Sequence, residues 1–414
     1  MDEGPGDWFR WGGRMTGAGD IGLLRTEATS QRATFLELFF DLVFVFALTR
    51  VSQRLITDFS TDRRILFSEA GQTLLLFLAL WLVWSFTALV TSRLDPDRPE
   101  IQFVVIASMF GAMVMAVAVP QGFNERAVVF AGAYVAVQLG RSVFLAVVHQ
   151  RERILSLRVI FWLGMSAVLW LLGGVTAHHG VRGVLWTLAV ALDFAGAASG
   201  WPTPKLGRSR VAEWSIAGEH LAERYQQFLL VTLGESILVI GLTFSGENFA
   251  LDRTTAFLVA FLTTVLLWRV YFHRAGQLLP AAITSARQPA RLGIAMTYTH
   301  LLMVAGIVLA SVGYELFVTT PLGRTTPVWL YAILGGPVVF LAGRALFEYQ
   351  VVGSISWPRI IGLVLLALIA PAMTLGHLPP VAIAAAVAAV LAGIVAADAL
   401  RARGRATDLP TPPI

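Results

Sequence analysis

Long apolar runs alternate with short polar stretches along nearly the whole chain. Each run approaches the roughly 20 residues that a helix needs to cross a bilayer. Turn-forming residues separate the runs, as at Asp95-Pro96-Asp97 and Pro321-Leu322-Gly323. The pattern predicts an all-α, polytopic transmembrane helix bundle of about twelve helices. The predicted helices span residues 35–55, 68–91, 101–119, 127–148, 156–177, 182–200, 224–245, 251–272, 292–316, 327–348, 357–376 and 380–400.

Composition supports a protein whose main partner is the lipid bilayer. Of the 414 residues 56% are hydrophobic and only 14% are charged, whereas soluble domains have about 25% charged residues. The net charge of +5 does not indicate nucleic-acid binding, because most basic residues fall in short loops between apolar runs. The absence of cysteine excludes disulfides, thiolate metal sites and cysteine nucleophiles.

The distribution of basic residues predicts the orientation in the membrane. With the N-terminus in the cytoplasm, the inside segments hold 19 basic residues and the outside loops hold 7. Basic residues concentrate on the cytoplasmic side of membrane proteins. We therefore expect a multi-pass protein with both termini in the cytoplasm. The preference for arginine beside much alanine, glycine and valine is typical of GC-rich bacterial genes, which suggests the inner (plasma) membrane.

The chain divides into two halves around a central polar connection. We predict a cytoplasmic N-terminal segment (1–33), a first six-helix half (34–200), a central cytoplasmic connection (201–223), a second six-helix half (224–400) and a cytoplasmic tail (401–414). The first and seventh helices would run in the same direction. The halves are therefore compatible with a 6+6 parallel repeat, as in some transporters.

The first predicted helix carries two acids, Glu37 and Asp41, among apolar residues. Their spacing of four residues places them on one helix face, which Phe44, Leu48 and Ser52 continue. Acids at membrane depth are costly, so they are usually paired, or they face an interior path. The alternative is that both acids lie near the helix start and only cap its free amides. That effect fades within the first turn, beyond which Asp41 lies.

The seventh predicted helix carries a second set of polar residues. Glu223 and Arg224 lie at its start, where Arg224 is a natural counter-ion for a neighbouring acid. Gly234-Glu235-Ser236 lies about eleven residues further on, near mid-membrane, where a glycine permits close approach of another backbone. Glu235 could instead pair with an arginine or with Ser236 for packing alone. His220 and Glu223 have the spacing of metal ligands, but closed sites usually need about four, so no metal is predicted.

Other membrane-embedded polar residues have weaker indications. His300 is either a proton-carrying group or a neutral imidazole bonded to Tyr298 or a helix carbonyl. Asp193 is a further acid without an obvious local partner, and most of the tryptophans lie near segment ends, where they would be interfacial anchors. No nucleotide-binding loop, hydrolase elbow or metalloprotease motif occurs. We therefore expect neither an enzyme nor a cofactor.

Several of these segments resemble the bacterial low temperature requirement protein A family. The resemblance rests on Phe35–Ala47, Glu219-His220-Leu221-Ala222-Glu223-Arg224, Leu233-Gly234-Glu235-Ser236 and Tyr298-Thr299-His300-Leu301. It implies a multi-pass membrane protein without an established substrate, and points to Glu37, Asp41, Glu223, Arg224, Glu235 and His300. The run from Phe39 to Thr49 is also similar to the first helix of the endolysosomal potassium channel family, although Phe40 stands where that family has serine.

These observations favour a secondary transporter whose buried acids on helices 1 and 7 bind a proton or cation. The pathway residues would be Glu37, Asp41, Glu223, Arg224, Gly234, Glu235, Ser236 and His300. A cation channel built on the same helices is the first alternative. A non-transporting scaffold or sensor, with acids paired to Arg224, Arg269 or Arg344, is the second. The transported ion or solute and the oligomeric state do not follow from the sequence.

Overall fold

The computed structural model describes residues 33–59, 63–150, 153–209, 218–273, 275–287, 289–376, 378–402 and 412. Within them the chain is helical and no strand is present. Most of the predicted N-terminal segment and tail, and residues 210–217 of the central connection, lie outside the described residues. The helices are α1 (Phe35–Phe59), α2 (Arg63–Thr91), α3 (Pro99–Ala118), α4 (Ala127–Val148), α5 (Arg153–Val175), α6 (His179–Ser199), α7 (Gly218–Ser245), α8 (Leu251–Phe272), α9 (Ala275–Ser285), α10 (Pro289–Thr319), α11 (Pro327–Ile333), α12 (Gly335–Val352), α13 (Trp357–Gly376) and α14 (Pro380–Ala402).

The prediction of a polytopic helix bundle is confirmed. Ten spans within the described residues are long and apolar enough to cross a membrane, and α11 and α12 together form one of them. Two further predicted spans correspond to α1, with 25 residues, and α13, with 20 residues. In α1 the charged residues Glu37, Asp41, Arg50 and Arg54 lower the apolar character of every stretch long enough to span.

Two features of the helices differ from the prediction. The region between the eighth and ninth predicted spans contains an additional helix, α9, which packs against α7, α8 and α12. The tenth predicted span is broken at Leu334 into α11 and α12. Pro337 explains the break, because a proline ring clashes with the carbonyl four residues earlier, which here belongs to Ile333 at the end of α11.

Four tryptophans contradict the prediction that this residue type anchors the protein at the membrane surface. Trp81, Trp84, Trp170 and Trp186 are at most 2% exposed and belong to the core. Trp186 donates from Nε1 to the Trp170 carbonyl oxygen at 3.0 Å, which satisfies its polar group inside the bundle. Trp268 and Trp357 are exposed by 43% and 66%, as the anchoring interpretation requires.

The same pairs of helices pack together in both halves. In the first half α1 packs on α2 and α3, α3 on α4, α4 on α5, α5 on α6, and α2 on α6. In the second half α7 packs on α8 and α10, α10 on α12, α12 on α13, α13 on α14, and α8 on α14. A parallel duplication would produce this recurrence once α9 is set aside. The division of the chain into two halves stays a prediction.

Helix α1 joins the two halves at the centre of the bundle. It contacts α2 and α3 of its own half and both α7 and α10 of the other. Its buried face carries Glu37, Asp41, Phe44, Leu48 and Ser52, all at most 1% exposed. This is the face that the four-residue spacing predicted. Glu37, Asp41 and Ser52 therefore point at the second half rather than at lipid.

Candidate functional site

The candidate site lies along the contact between α1 and α7, which run side by side in the same direction. Three side-chain pairs join them, and in each pair the α7 residue is numbered 183 above its α1 partner. Because this offset is constant over about four helical turns, the two helices run parallel and stay in the same register. A polar residue on α1 therefore lies opposite a polar residue on α7 at each of the three positions. The pairs are Glu37–His220, Asp41–Arg224 and Ser52–Glu235.

Asp41 and Arg224 form a bidentate ion pair in the protein interior. Arg224 Nη1 donates to Asp41 Oδ2, and Nη2 donates to Oδ1, each at 2.8 Å. Trp84 on α2 adds a third bond from Nε1 to Asp41 Oδ1, also at 2.8 Å. Asp41 is fully buried and Arg224 is 1% exposed. Bidentate pairing fixes the geometry as well as the charge, so Asp41 is held firmly in this conformation.

Glu37 has two roles in the same cluster. It receives a bond from His220 Nε2 at 3.0 Å, and its Oε1 lies 3.6 Å from Arg224 Nε. It also closes the start of α1, because Oε2 accepts from the Thr34 amide at 2.9 Å while the Glu37 amide donates to the Thr34 hydroxyl at 3.4 Å. This is a capping box. The capping interpretation therefore holds for Glu37, but not for Asp41.

His220 also contacts the turn that follows α2, because its Nδ1 lies 3.0 Å from Ser92 Oγ, while Trp84 provides the contact from α2 itself. We call Glu37, Asp41, His220 and Arg224 the charged cluster. Three helices, α1, α2 and α7, meet in it through side chains that are at most 1% exposed. Removal of Arg224 would leave Asp41 as an uncompensated buried charge, which is strongly destabilising.

Glu223 does not belong to the charged cluster. It is half-buried and accepts bonds from the Ala33 amide at 3.0 Å and from Gln227 Nε2 at 3.1 Å. It therefore holds the chain just before α1. His220 and Glu223 take different partners and do not form one site. In the described part of the chain no group of three or more His, Cys, Asp or Glu residues could hold a metal ion.

Aromatic side chains fill the space that follows the charged cluster along α1 and α7, in the direction of Glu235. Trp84 lies 4.1 Å from Phe228 and 5.0 Å from Trp81, measured between ring centroids. Phe44 packs edge-on against both Phe40, at 5.2 Å, and Phe228, at 5.7 Å. These five rings, at most 4% exposed, form what we call the aromatic layer. It separates the charged cluster from the deeper part of the α1–α7 contact.

Beyond the aromatic layer lies Glu235, which has hydroxyl partners instead of a cation. Ser52 Oγ on α1 lies 2.6 Å from Glu235 Oε1, and Ser311 Oγ on α10 lies 3.0 Å from Oε2. Ser311 Oγ is also 3.0 Å from Ser236 Oγ. All four side chains are at most 1% exposed. We call them the Glu235 group, and they join α1, α7 and α10 about 16 Å along the helix axis from Asp41.

Besides Glu223, two predicted site residues, His300 and Gly234, lie outside both groups. His300 is bonded to Tyr271 Oη at 2.8 Å through Nε2 and to the Met296 carbonyl oxygen at 2.8 Å through Nδ1. The helix-carbonyl interpretation is therefore correct, although Tyr271 takes the place expected for Tyr298. A Cβ atom added at Gly234 would meet nothing within 4 Å, so the close approach predicted there is wrong.

Close backbone approach occurs instead between α10 and α12. A Cβ added at Gly306 would lie 2.8 Å from the Gly336 carbonyl oxygen, a distance that no side chain tolerates. Glycine at this position lets the two helices pack backbone to backbone.

Sequence reasoning missed two members of the site. Trp84 is not among the predicted site residues, although its place in the middle of an apolar run could have indicated a buried donor. Ser311 follows Leu309-Ala310 within an apolar run, where no spacing or motif signals that its hydroxyl faces a carboxyl group. Asp193, for which no partner was evident, accepts a bond from Tyr134 Oη at 2.6 Å.

Comparison with known proteins gives two matches. The family described as bacterial low temperature requirement A protein matches residues 32–396, which cover most of the chain. An uncharacterized protein of Rhizobium meliloti (strain 1021) is 38% identical over 328 residues, which are 77% of this chain and 78% of the relative. The charged cluster, the aromatic layer and the Glu235 group all lie within the family match.

Proposed function

This chain belongs to the bacterial low temperature requirement A protein family, and we propose that it is a proton-coupled secondary transporter in which Glu235 binds the proton. In this proposal the charged cluster and the aromatic layer form the closed barrier on the cytoplasmic side. The proposal also places the protein in the inner membrane with both termini in the cytoplasm, which the excess of basic residues in the predicted inside segments supports. We assign it no enzymatic activity.

This proposal rests on the hydrogen bonds around Glu235, where the hydroxyl groups face more acceptor oxygens than they have hydrogens to donate. Ser52 Oγ lies within bonding distance of both Glu235 Oε1, at 2.6 Å, and the Leu48 carbonyl oxygen, at 2.9 Å. A hydroxyl has one hydrogen and cannot donate to both acceptors. Ser311 Oγ likewise faces Glu235 Oε2, Ser236 Oγ and the Ile307 carbonyl oxygen, at 3.0 to 3.1 Å.

One additional proton resolves the shortage at Ser52. A protonated Glu235 donates to Ser52, and Ser52 then donates to Leu48. A carboxyl group at membrane depth is expensive unless its charge is compensated, and among the described residues the hydrogen-bond partners of Glu235 include no arginine, lysine or histidine. The site is therefore suited to take up and release a proton, whereas Asp41 already has a permanent cation beside it.

The barrier explains how such a site could couple transport. The charged cluster joins α1 to α7 at their cytoplasmic ends, and the aromatic layer fills the next turns. Access to Glu235 from that side requires α1 and α7 to separate, which breaks the Asp41–Arg224 pair. Exchange of ion pairs and packed contacts between two discrete arrangements is a common basis for alternating states.

Displacement currents test the proposal without knowledge of the substrate. Proteoliposomes adsorbed on a solid-supported membrane are given a step in pH. We expect a brief current in the wild-type protein, its loss in Glu235→Gln, and its retention in Glu315→Gln, which changes a half-buried acid on α10 outside the site. Thermal unfolding confirms that both variants are folded.

The other possible results contradict the proposal. A current that persists as long as the pH or potassium gradient lasts would indicate a channel. A brief current after a sodium step but not after a pH step would make Glu235 a metal-cation site. No current in folded wild-type protein would favour a non-transporting scaffold or sensor. An unchanged current in Glu235→Gln would place proton binding at another group and contradict the role of Glu235.

A further inference from the structure

A cavity lies between α2, α4, α5, α6, α7 and α10, beside the charged cluster. Its volume is about 140 Å³ and its lining is predominantly apolar, with Phe86, Leu89, Leu145 and Ile294 among the contributing residues. An engineered apolar cavity of about 150 Å³ binds benzene. The cavity therefore has room for one aromatic ring or a short branched chain, and is smaller than the roughly 300–1,000 Å³ of sites for larger ligands.

A buried arginine gives this cavity a specific polar end. Arg141 on α4 lines the cavity and is 7% exposed. Nη1 donates to Thr87 Oγ1 at 3.0 Å, Nη2 donates to Gln138 Oε1, and the guanidinium lies 5.6 Å from the Phe86 ring centroid. A guanidinium has five N–H donors, so these two bonds leave donors for a ligand.

The hydrogen bonds of Arg141 lead to an acid, Asp193, through two intervening side chains, Gln138 and Tyr134. Gln138 Nε2 donates to Tyr134 Oη at 3.3 Å, and Tyr134 Oη donates to Asp193 Oδ2 at 2.6 Å. These bonds hold the arginine in place without covering it with a carboxylate. The described residues that line the cavity include Arg93 and Arg141 but no Asp or Glu. An anionic head group would therefore meet positive charge without facing an acid.

We propose that this cavity binds a small organic acid, with a single ring or a branched aliphatic body in the apolar part and its carboxylate on Arg141. Bidentate pairing with carboxylates is the characteristic use of buried arginine. A phospholipid shares the combination of anionic head and apolar body, but its acyl chain exceeds the cavity. We further assign this acid as the transported substrate, an assignment that rests on the proposed function.

One aromatic side chain links the cavity to the charged cluster. Tyr225 lines the cavity and stacks on His300, with ring centroids 4.6 Å apart. On its other side its ring centroid is 5.8 Å from that of Trp84, the donor to Asp41. A ligand that displaces the Tyr225 side chain would thus displace Trp84, whose indole N–H donates to Asp41. This contact gives substrate binding a physical route to the barrier.

Fluorine NMR with 4-fluorobenzoate tests the binding site directly. The full-length protein is placed in phosphatidylcholine nanodiscs, and empty nanodiscs correct for partition into lipid. We expect saturable binding that weakens about tenfold or more in Arg141→Met, because a bond to a charged group is lost. Binding of the neutral analogue 4-fluorobenzyl alcohol should not weaken in this variant.

A second variant covers the case in which Arg141→Met fails to fold. Ala197 lines the cavity, and Ala197→Leu should abolish binding of 4-fluorobenzoate by filling the space while leaving Arg141 intact. Equal binding in wild-type protein and a folded variant would overturn the site. Displacement of 4-fluorobenzoate by phosphatidylglycerol in the nanodisc would assign the cavity to lipid and overturn the small acid as its ligand.

Glu235→Gln separates this proposal from the proposed function. Because the cavity does not include Glu235, the variant should bind 4-fluorobenzoate as the wild-type protein does, although it loses the displacement current. Addition of 4-fluorobenzoate should also change the wild-type displacement current. Binding without any change in the current would overturn the assignment as substrate and leave the binding site standing.

Discussion

The charged cluster and the Glu235 group lie on the same two helices in the same register, yet their acids are compensated differently. Asp41 has a bidentate arginine and an indole N–H. Glu235 has serine hydroxyls from α1 and α10 as its hydrogen-bond partners among the described residues. The full positive charge beside Asp41 stabilises its ionised form and the contact between the helices. The neutral hydroxyls around Glu235 allow this acid to change its protonation state. The comparison teaches that acids buried equally deeply on the same two helices can be compensated in different ways.

Loss of the arginine should have the largest effect. Arg224→Met leaves Asp41 without its bidentate partner and removes the cation 3.6 Å from Glu37, and removing one member of a buried ion pair costs about 3–5 kcal/mol. We expect a correspondingly lower thermal stability of the purified protein in detergent, measured by tryptophan fluorescence or calorimetry.

A double variant controls for lost packing. Asp41→Asn combined with Arg224→Met should be clearly less destabilised than the sum of the single variants, because the second substitution removes the charge that the first left unpaired. Additive effects would mean that Asp41 and Arg224 do not stabilise one another, and the contrast between the two groups would be lost.

The indole bond to Asp41 should have an intermediate effect. Trp84→Phe keeps an aromatic ring in the layer but removes a hydrogen bond to a charged acceptor, a bond worth about 1.5–3 kcal/mol. Trp81→Phe is the matched control, since Trp81 is equally buried and its Nε1 has no hydrogen-bond partner in the described structure. We expect the unfolding temperature to fall more in Trp84→Phe, and equal losses would refute the role of the indole N–H.

The serine partners of Glu235 should have the smallest effect on stability. Ser52→Ala removes one neutral hydroxyl, and a hydrogen bond of this kind contributes about 1 kcal/mol. Infrared difference spectra should show the Glu235 carboxyl band at higher frequency, because the protonated carboxyl group loses the oxygen to which it donates and makes one hydrogen bond fewer. Ser245→Ala, at the exposed end of α7, should leave that band unchanged. A stability loss in Ser52→Ala as large as that of Arg224→Met would erase the distinction between the two groups.

Most of the helices could be predicted because apolar length is a local property of the chain. The prediction failed where contacts with neighbouring helices, rather than the local sequence, decide the structure. Helix α9 is an eleven-residue helix with Pro280 inside it, too short and too irregular for a membrane span, and it is supported by α7, α8 and α12. The buried tryptophans have the same cause, since an apolar run does not say whether a ring faces lipid or a neighbouring helix.

The sequence by itself determined that the chain crosses a membrane many times, and that Glu37, Asp41 and Glu235 are costly enough to need partners. It also placed Glu37, Asp41 and Ser52 on one face, because four-residue spacing fixes direction around a helix. Only the tertiary structure decided which acid meets Arg224 and which meets serines. Asp41 and Arg224 are 183 residues apart along the chain, as are Ser52 and Glu235, while Ser311 is 76 residues from Glu235. The packing of α1 on α7 and α10 brings these residues into contact.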